Sequence, residues 1–111
     1  MLKRIENEQT LLWCLKHFDS SFPVNLSDIV GDVVQYMYKL YLNAYNYLVE
    51  IDDKIAGFIS FYANKPDTAY IALLAVDERY RQSGSGSILL QCAIDVARDN
   101  GMKKLRLETD K

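Results

Sequence analysis

Tyr70-Ile-Ala-Leu-Leu-Ala-Val76, Asp77-Glu-Arg-Tyr-Arg-Gln-Ser83 and Gly84-Ser-Gly-Ser-Ile-Leu-Leu-Gln-Cys-Ala-Ile94 follow one another without interruption. They read as an apolar strand, a charged turn, and a glycine loop that opens an amphipathic helix. That order predicts a phosphate cradle. Gly84 and Gly86 carry no side chain, so backbone N–H groups from Gln82 to Ser87 can close around an anion where the helix dipole concentrates positive charge. Two glycines spaced by one residue also occur at ordinary turns, where glycine is recruited for steric reasons alone. The dinucleotide-binding fingerprint requires a third glycine where Leu89 stands, and no Gly-Lys-Ser/Thr follows to make a kinase-type phosphate loop.

Outward from this stretch the pattern alternates between periods of 3.6 and 2. Residues 2 to 5 can form a short first strand, and Asn7 can cap a helix presenting Leu11, Leu12, Leu15 and Phe18 on one face. After a break from Asp19 to Pro23, Ser27 is placed to cap a second helix. There Ile29, Val30, Val33, Val34, Met37, Leu40 and Tyr41 recur at helical spacing. From Tyr45 the period becomes two, with Tyr47, Val49 and Ile51 on one run and Ile55, Gly57, Ile59 and Phe61 on the next, a hairpin turning at Asp52-Asp53. A turn over 64–67 leads to Thr68–Val76, apolar enough to be covered on both faces. The helix from Gly84 to Asp99 buries Ile88, Leu89, Cys92, Ala93, Val96 and Ala97, and Gly101 ends it. Lys103 to Thr109 returns as a strand, Leu105 and Leu107 inward, in a right-handed parallel crossover.

With 111 residues, half of them hydrophobic and a quarter charged, the chain is sized for one soluble domain over 1–111. A net charge of −2 gives no global attraction for nucleic acid or an acidic membrane surface. The longest apolar stretch is too short to span a bilayer, and Met1-Leu-Lys-Arg-Ile-Glu6 lacks the apolar centre of a signal peptide, so a cytoplasmic protein is expected. Cys14 and Cys92 fall within helical apolar patterns and read as buried thiols, not as a disulfide or a nucleophile. His17 is the only histidine, and no Cys or His stands near it at ligand spacing, so no metal is expected.

The Arg81-x-x-Gly84-x-Gly86 spacing, preceded by Leu74-Ala75-Val76-Asp77, resembles the acetyl-coenzyme A signature of the GNAT superfamily of N-acetyltransferases. The order of elements resembles that family along the whole chain. The resemblance implies an α/β (α+β) fold, a mixed antiparallel and parallel sheet flanked by helices. Relative to the family pattern it stops after the strand ending at Thr109, lacking a final helix, two strands and the tyrosine that serves as acid. A strand edge left open in this way invites self-association, and a homodimer through it is expected.

By the same resemblance, the main chain of Leu74, Ala75 and Val76 binds the pantetheine arm of acetyl-CoA, the co-substrate. The amides of Gln82, Ser83, Gly84, Ser85, Gly86 and Ser87 hold the pyrophosphate, with Arg79 or Arg81 pairing a phosphate oxygen. An amine, on a small molecule or a peptide, then attacks the thioester directly while an N–H near Val76 steadies the oxyanion. Glu108 stands where some family members keep a glutamate base, though a solvated strand-end carboxylate is the alternative. Asp77 is expected to order the turn into the glycine loop. The rival to an active enzyme is a catalytically incompetent module of the same fold that binds coenzyme A or only self-associates. A third reading makes the tyrosine-rich segment 36–47 a protein-interaction surface. The acceptor groove is expected near the first two helices and residues 18–27, which names no substrate.

Overall fold

The computed structural model describes residues 1–19, 31–64 and 66–107. Their elements are β1 (Leu2–Arg4), α1 (Glu8–His17), α2 (Val33–Asn43), β2 (Tyr45–Ile51), β3 (Lys54–Tyr62), β4 (Thr68–Val76), a 3-10 turn (Glu78–Tyr80), α3 (Ser85–Asp99) and β5 (Lys104–Leu107). The strands form one sheet in sequence order, antiparallel except for the β4–β5 pair, which is parallel across the α3 crossover. This is the mixed α/β architecture expected from the sequence.

Local chemistry explains the joints. Asp52 and Asp53 both take positive φ, 53° and 64°, the backbone twist a two-residue hairpin needs, and short polar side chains tolerate it. α3 ends as its pattern predicts: with Gly101 at φ 77°, the Met102 amide donates to Ala97 and the Gly101 amide to Arg98, satisfying the last carbonyls. Asn46 is buried where α2 meets the sheet. Its amide donates to the Leu40 and Ala44 carbonyls, and it accepts from Ser60 Oγ at 2.6 Å.

Helices cover both faces of the sheet. On one face Leu11, Cys14, Leu15, Phe18, Met37 and Leu40 pack on Leu48, Phe58, Leu73 and Ala75. On the other, Leu89 and Ala93 of α3 pack on Val49, Ile59, Phe61 and Ile71. Both cysteines are buried, and burial pushes the Cys14 thiol up to about 12 and the Cys92 thiol up to about 11, which makes them packing residues.

Four expectations are corrected. The second helix does not run unbroken from Ser27. Gly31 sits at φ 72° and Asp32 is extended, its carboxylate capping the Val34 and Gln35 amides, so α2 starts at Val33. Ser27, Ile29 and Val30 lie outside the described residues. Val34 and Ile88 are 42% and 44% exposed, because the buried stripes run through Met37 and Leu40 on α2 and through Leu89, Cys92, Ala93 and Ala97 on α3. A residue beside such a stripe is turned about 100° from it. Leu107 is 60% exposed, at the last described position of an edge strand that has a described neighbour on one side only.

Candidate functional site

β4 has two halves with different surroundings. From Thr68 to Ile71 it pairs with Lys104 to Leu107 of β5, and beyond Ile71 no described residue pairs with it on that side. A bulge begins where they part. Ser60 opposes Leu73 and Phe61 opposes Ile71, so Ala72 is an extra residue in β4, which bends the strand and reverses which face its side chains take. Ile71 accordingly joins the core under α3, whereas Leu73 and Ala75 join the core under α1 and α2.

Backbone direction follows from one hydrogen bond. The Asp77 amide donates to the Ala56 carbonyl at 2.7 Å, so it faces β3. Main-chain groups alternate along an antiparallel strand, which turns the N–H and C=O of Val76 and of Leu74 to the unpaired side and those of Ala75 toward β3. Of the three residues expected to bind pantetheine through their main chain, two therefore present it. β3 approaches closely here. A Cβ on Gly57 would meet the Ala75 carbonyl oxygen at 2.7 Å, so glycine is required opposite Val76. The lone glycine in a strand pattern was the available signal for that contact.

The N-terminus of α3 lies directly beyond this open edge. Gly84 takes φ 85° as its cap and supplies no side-chain acceptor, so the amides of Gly86 and Ser87 in the first turn are left to outside partners. Two of the six expected cradle amides are used internally: Ser83 donates to the Tyr80 carbonyl at 3.0 Å, and Ser85 points to Ser83 Oγ at 3.4 Å. The Ser83 and Ser85 hydroxyls are hydrogen-bonded to each other at 2.7 Å, and Ser85 is buried. Gln82, Ser83, Gly84 and Ser87 are exposed. Gly86 is informative by contrast with Gly84. Its φ is not positive, and an added Cβ would meet only Val76 Cγ2 at an ordinary 3.7 Å, so neither conformation nor internal packing requires glycine there. What its hydrogen keeps clear is the space outside the helix.

The two candidate arginines differ. Arg79 is committed to Asp77, donating its backbone amide and Nε to Oδ1 at 3.0 and 3.2 Å and a terminal nitrogen to Oδ2 at 3.2 Å. Arg81 is exposed and has no ion-pair partner among the described residues, so its guanidinium is available to a phosphate. Asp77 orders the turn as expected. Hydrogen bonds from Arg79, and one from His17, hold its carboxyl well below the usual carboxylate range. The contact with His17, at 3.2 Å between Nε2 and Oδ2, spans 60 residues and had no local signature in the sequence. Glu108 lies outside the described residues.

Comparison with known proteins bears on the fold and the family. No curated protein matches the chain. Among solved structures, an aminoglycoside acetyltransferase from an uncultured soil metagenomic sample, in complex with sisomicin, superposes with a TM-score of 0.76 at 22% identity, over 100% of this chain and 78% of that one. A ribosomal-protein-alanine N-acetyltransferase from Brucella melitensis biovar Abortus gives 0.68 at 17%, over 100% and 81%. A protein from Bacillus anthracis designated a streptothricin acetyltransferase, in complex with acetyl coenzyme A, gives 0.56 at 34%, over 60% of this chain and 38% of that one. The model of the acetyltransferase (GNAT) family matches residues 11–111, nearly the whole chain, and the protein belongs to that family.

Proposed function

We propose that the protein binds acetyl-CoA along β4 and the N-terminus of α3 and transfers its acetyl group to an amine. The observation that carries this reading is the adjacency of two unsatisfied backbone sets: the unpaired edge at Leu74 and Val76, and the uncapped first turn at Gly86 and Ser87. The first suits an amide-bearing arm lying like another strand; the second suits a diphosphate. Arg81 adds an exposed cation at the rim, and Ser85 and Ser83 brace the loop through their paired hydroxyls.

Bound acetyl-CoA supplies the reactive thioester. Val76 directs its N–H to the side where the thioester oxygen would lie and so serves as the oxyanion donor. Asp77, pinned by Arg79, fixes the end of β4 so that this N–H is held before the substrate arrives. Glu108 remains the family-based candidate for the base. The acceptor is an amine on a small molecule or a peptide; neighbours of the same fold include one crystallised with the aminoglycoside sisomicin and one named for alanine of a ribosomal protein.

Two further expectations belong to this reading. Acetyl-CoA is a cytoplasmic metabolite, so the protein works in the cytoplasm; among the described residues no helix is long and apolar enough to cross a membrane. The outer edge of β5, with exposed Leu107, pairs with that of a second copy to form a homodimer. A monomer mass at high concentration in light scattering would overturn the latter.

Calorimetric titration with acetyl-CoA, against dephospho-coenzyme A and ATP, tests the main proposal. Saturable binding followed by thiol release on adding amines is expected. An absence of heat at millimolar ligand would overturn it, and binding without turnover across an amine panel would leave the coenzyme-binding module as the function.

A further inference from the structure

His17 ends α1, and its ring is held from three directions. Trp13 stacks on it at 4.4 Å between centroids with planes 13° apart, Phe18 meets it edge-on at 4.8 Å, and Asp77 Oδ2 lies 3.2 Å from Nε2. An ionised carboxylate only accepts hydrogen bonds, so Nε2 carries a proton and, in the neutral ring, Nδ1 holds the lone pair. Nδ1 has no hydrogen-bond partner among the described residues, and the side chain is 37% exposed. Asp77 is itself locked by Arg79 and directly follows Val76, whose N–H faces the unpaired side of β4. The imidazole is therefore a fixed, accessible base beside the place where the proposed reaction occurs.

We infer that His17 is the general base of this enzyme, taking the amine proton at Nδ1, and that Asp77 is the positioning residue that sets its tautomer. The inference rests on the acetyl-transfer reading above. The neutral amine attacks the thioester carbon, forming the C–N bond as the N–H proton passes to Nδ1. The C–S bond breaks, coenzyme A leaves as the thiolate, and the Nδ1 proton is returned to it, leaving the amide, the thiol and a neutral ring. On this assignment the ring, in place of Glu108, receives the amine proton.

Because the chain has a single histidine, one imidazole signal reports on it without assignment. In 15N NMR of the protein alone, the Nε2–H tautomer is expected, and Asp77→Asn redistributes the proton between the two nitrogens. Adding acetyl-CoA shifts the ring signals. His17→Gln, which can still donate to Asp77, is expected to lower kcat about 100-fold or more while leaving the calorimetric affinity for acetyl-CoA within about twofold. An Nδ1–H tautomer, ring signals that ignore bound acetyl-CoA, or a His17→Gln enzyme of undiminished kcat each overturn the assignment and leave acetyl transfer standing. Failure of acetyl-CoA to bind the wild-type chain overturns both.

Discussion

The three described helices begin under the same dipole and satisfy their first turns differently. Asn7 caps α1 by accepting from the Thr10 amide at 2.7 Å, and Asp32 caps α2 by accepting from Val34 and Gln35 at 3.0 and 3.2 Å. α3 has Gly84 at φ 85° and no side-chain acceptor. In the first two, the protein satisfies its own amides and gains stability. In the third it leaves them open beside an unpaired strand edge, forgoing roughly a few tenths of a kcal/mol of capping. The difference separates helix starts that serve the fold from one that is available to a ligand.

The strongest way to break the contrast is to fill the third site. Gly86→Glu puts a carboxylate in the first turn of α3, where the dipole favours it but a diphosphate would be repelled. Acetyl-CoA affinity in calorimetry should fall at least about 100-fold, near 2.7 kcal/mol, with no loss of melting temperature. A melting point that drops with affinity would mean that Gly86 serves packing. At the capped starts the pattern reverses: Asp32→Ala should cost about 1–2 kcal/mol in urea denaturation and Asn7→Ala about 1 kcal/mol, with acetyl-CoA affinity unchanged in both. Gly84→Ala should cost about 1 kcal/mol through its positive φ alone, since an added Cβ there meets nothing within 4 Å.

The smallest effect is on acid sensitivity. The Asp77 carboxyl is depressed in the folded state, so its stabilisation is full above the unfolded value, about 3.9, and is lost as pH falls below it toward the folded value. Asp77→Asn should therefore flatten the decline of melting temperature below about pH 4, and an unchanged acid limb would show that the Arg79 and His17 contacts do not persist in solution.

Much of this was legible. Period 2 from Tyr45 to Phe61, the apolar run of β4, the Asn7 cap and the Gly101 stop all reappear as read, because each is set by residues close in sequence. The misreadings share a cause. Val34 and Ile88 fit a helical period yet lie beside the stripe that tertiary packing selects, and Gly31 with Asp32 ended a period that hydrophobic spacing alone would have continued. The β4 bulge was invisible because a strand apolar on both faces gives no phase to disrupt.

Element order, the family and the glycine loop could be read along the chain, since propensity, periodicity and the need for positive φ at Gly84 are local properties. Which backbone groups stay unpaired, and the meeting of His17 with Asp77 across 60 residues, emerge only once the chain is packed. Strand pairing, register and side-chain contacts between distant segments depend on how the whole core packs, and no short stretch of the chain encodes them.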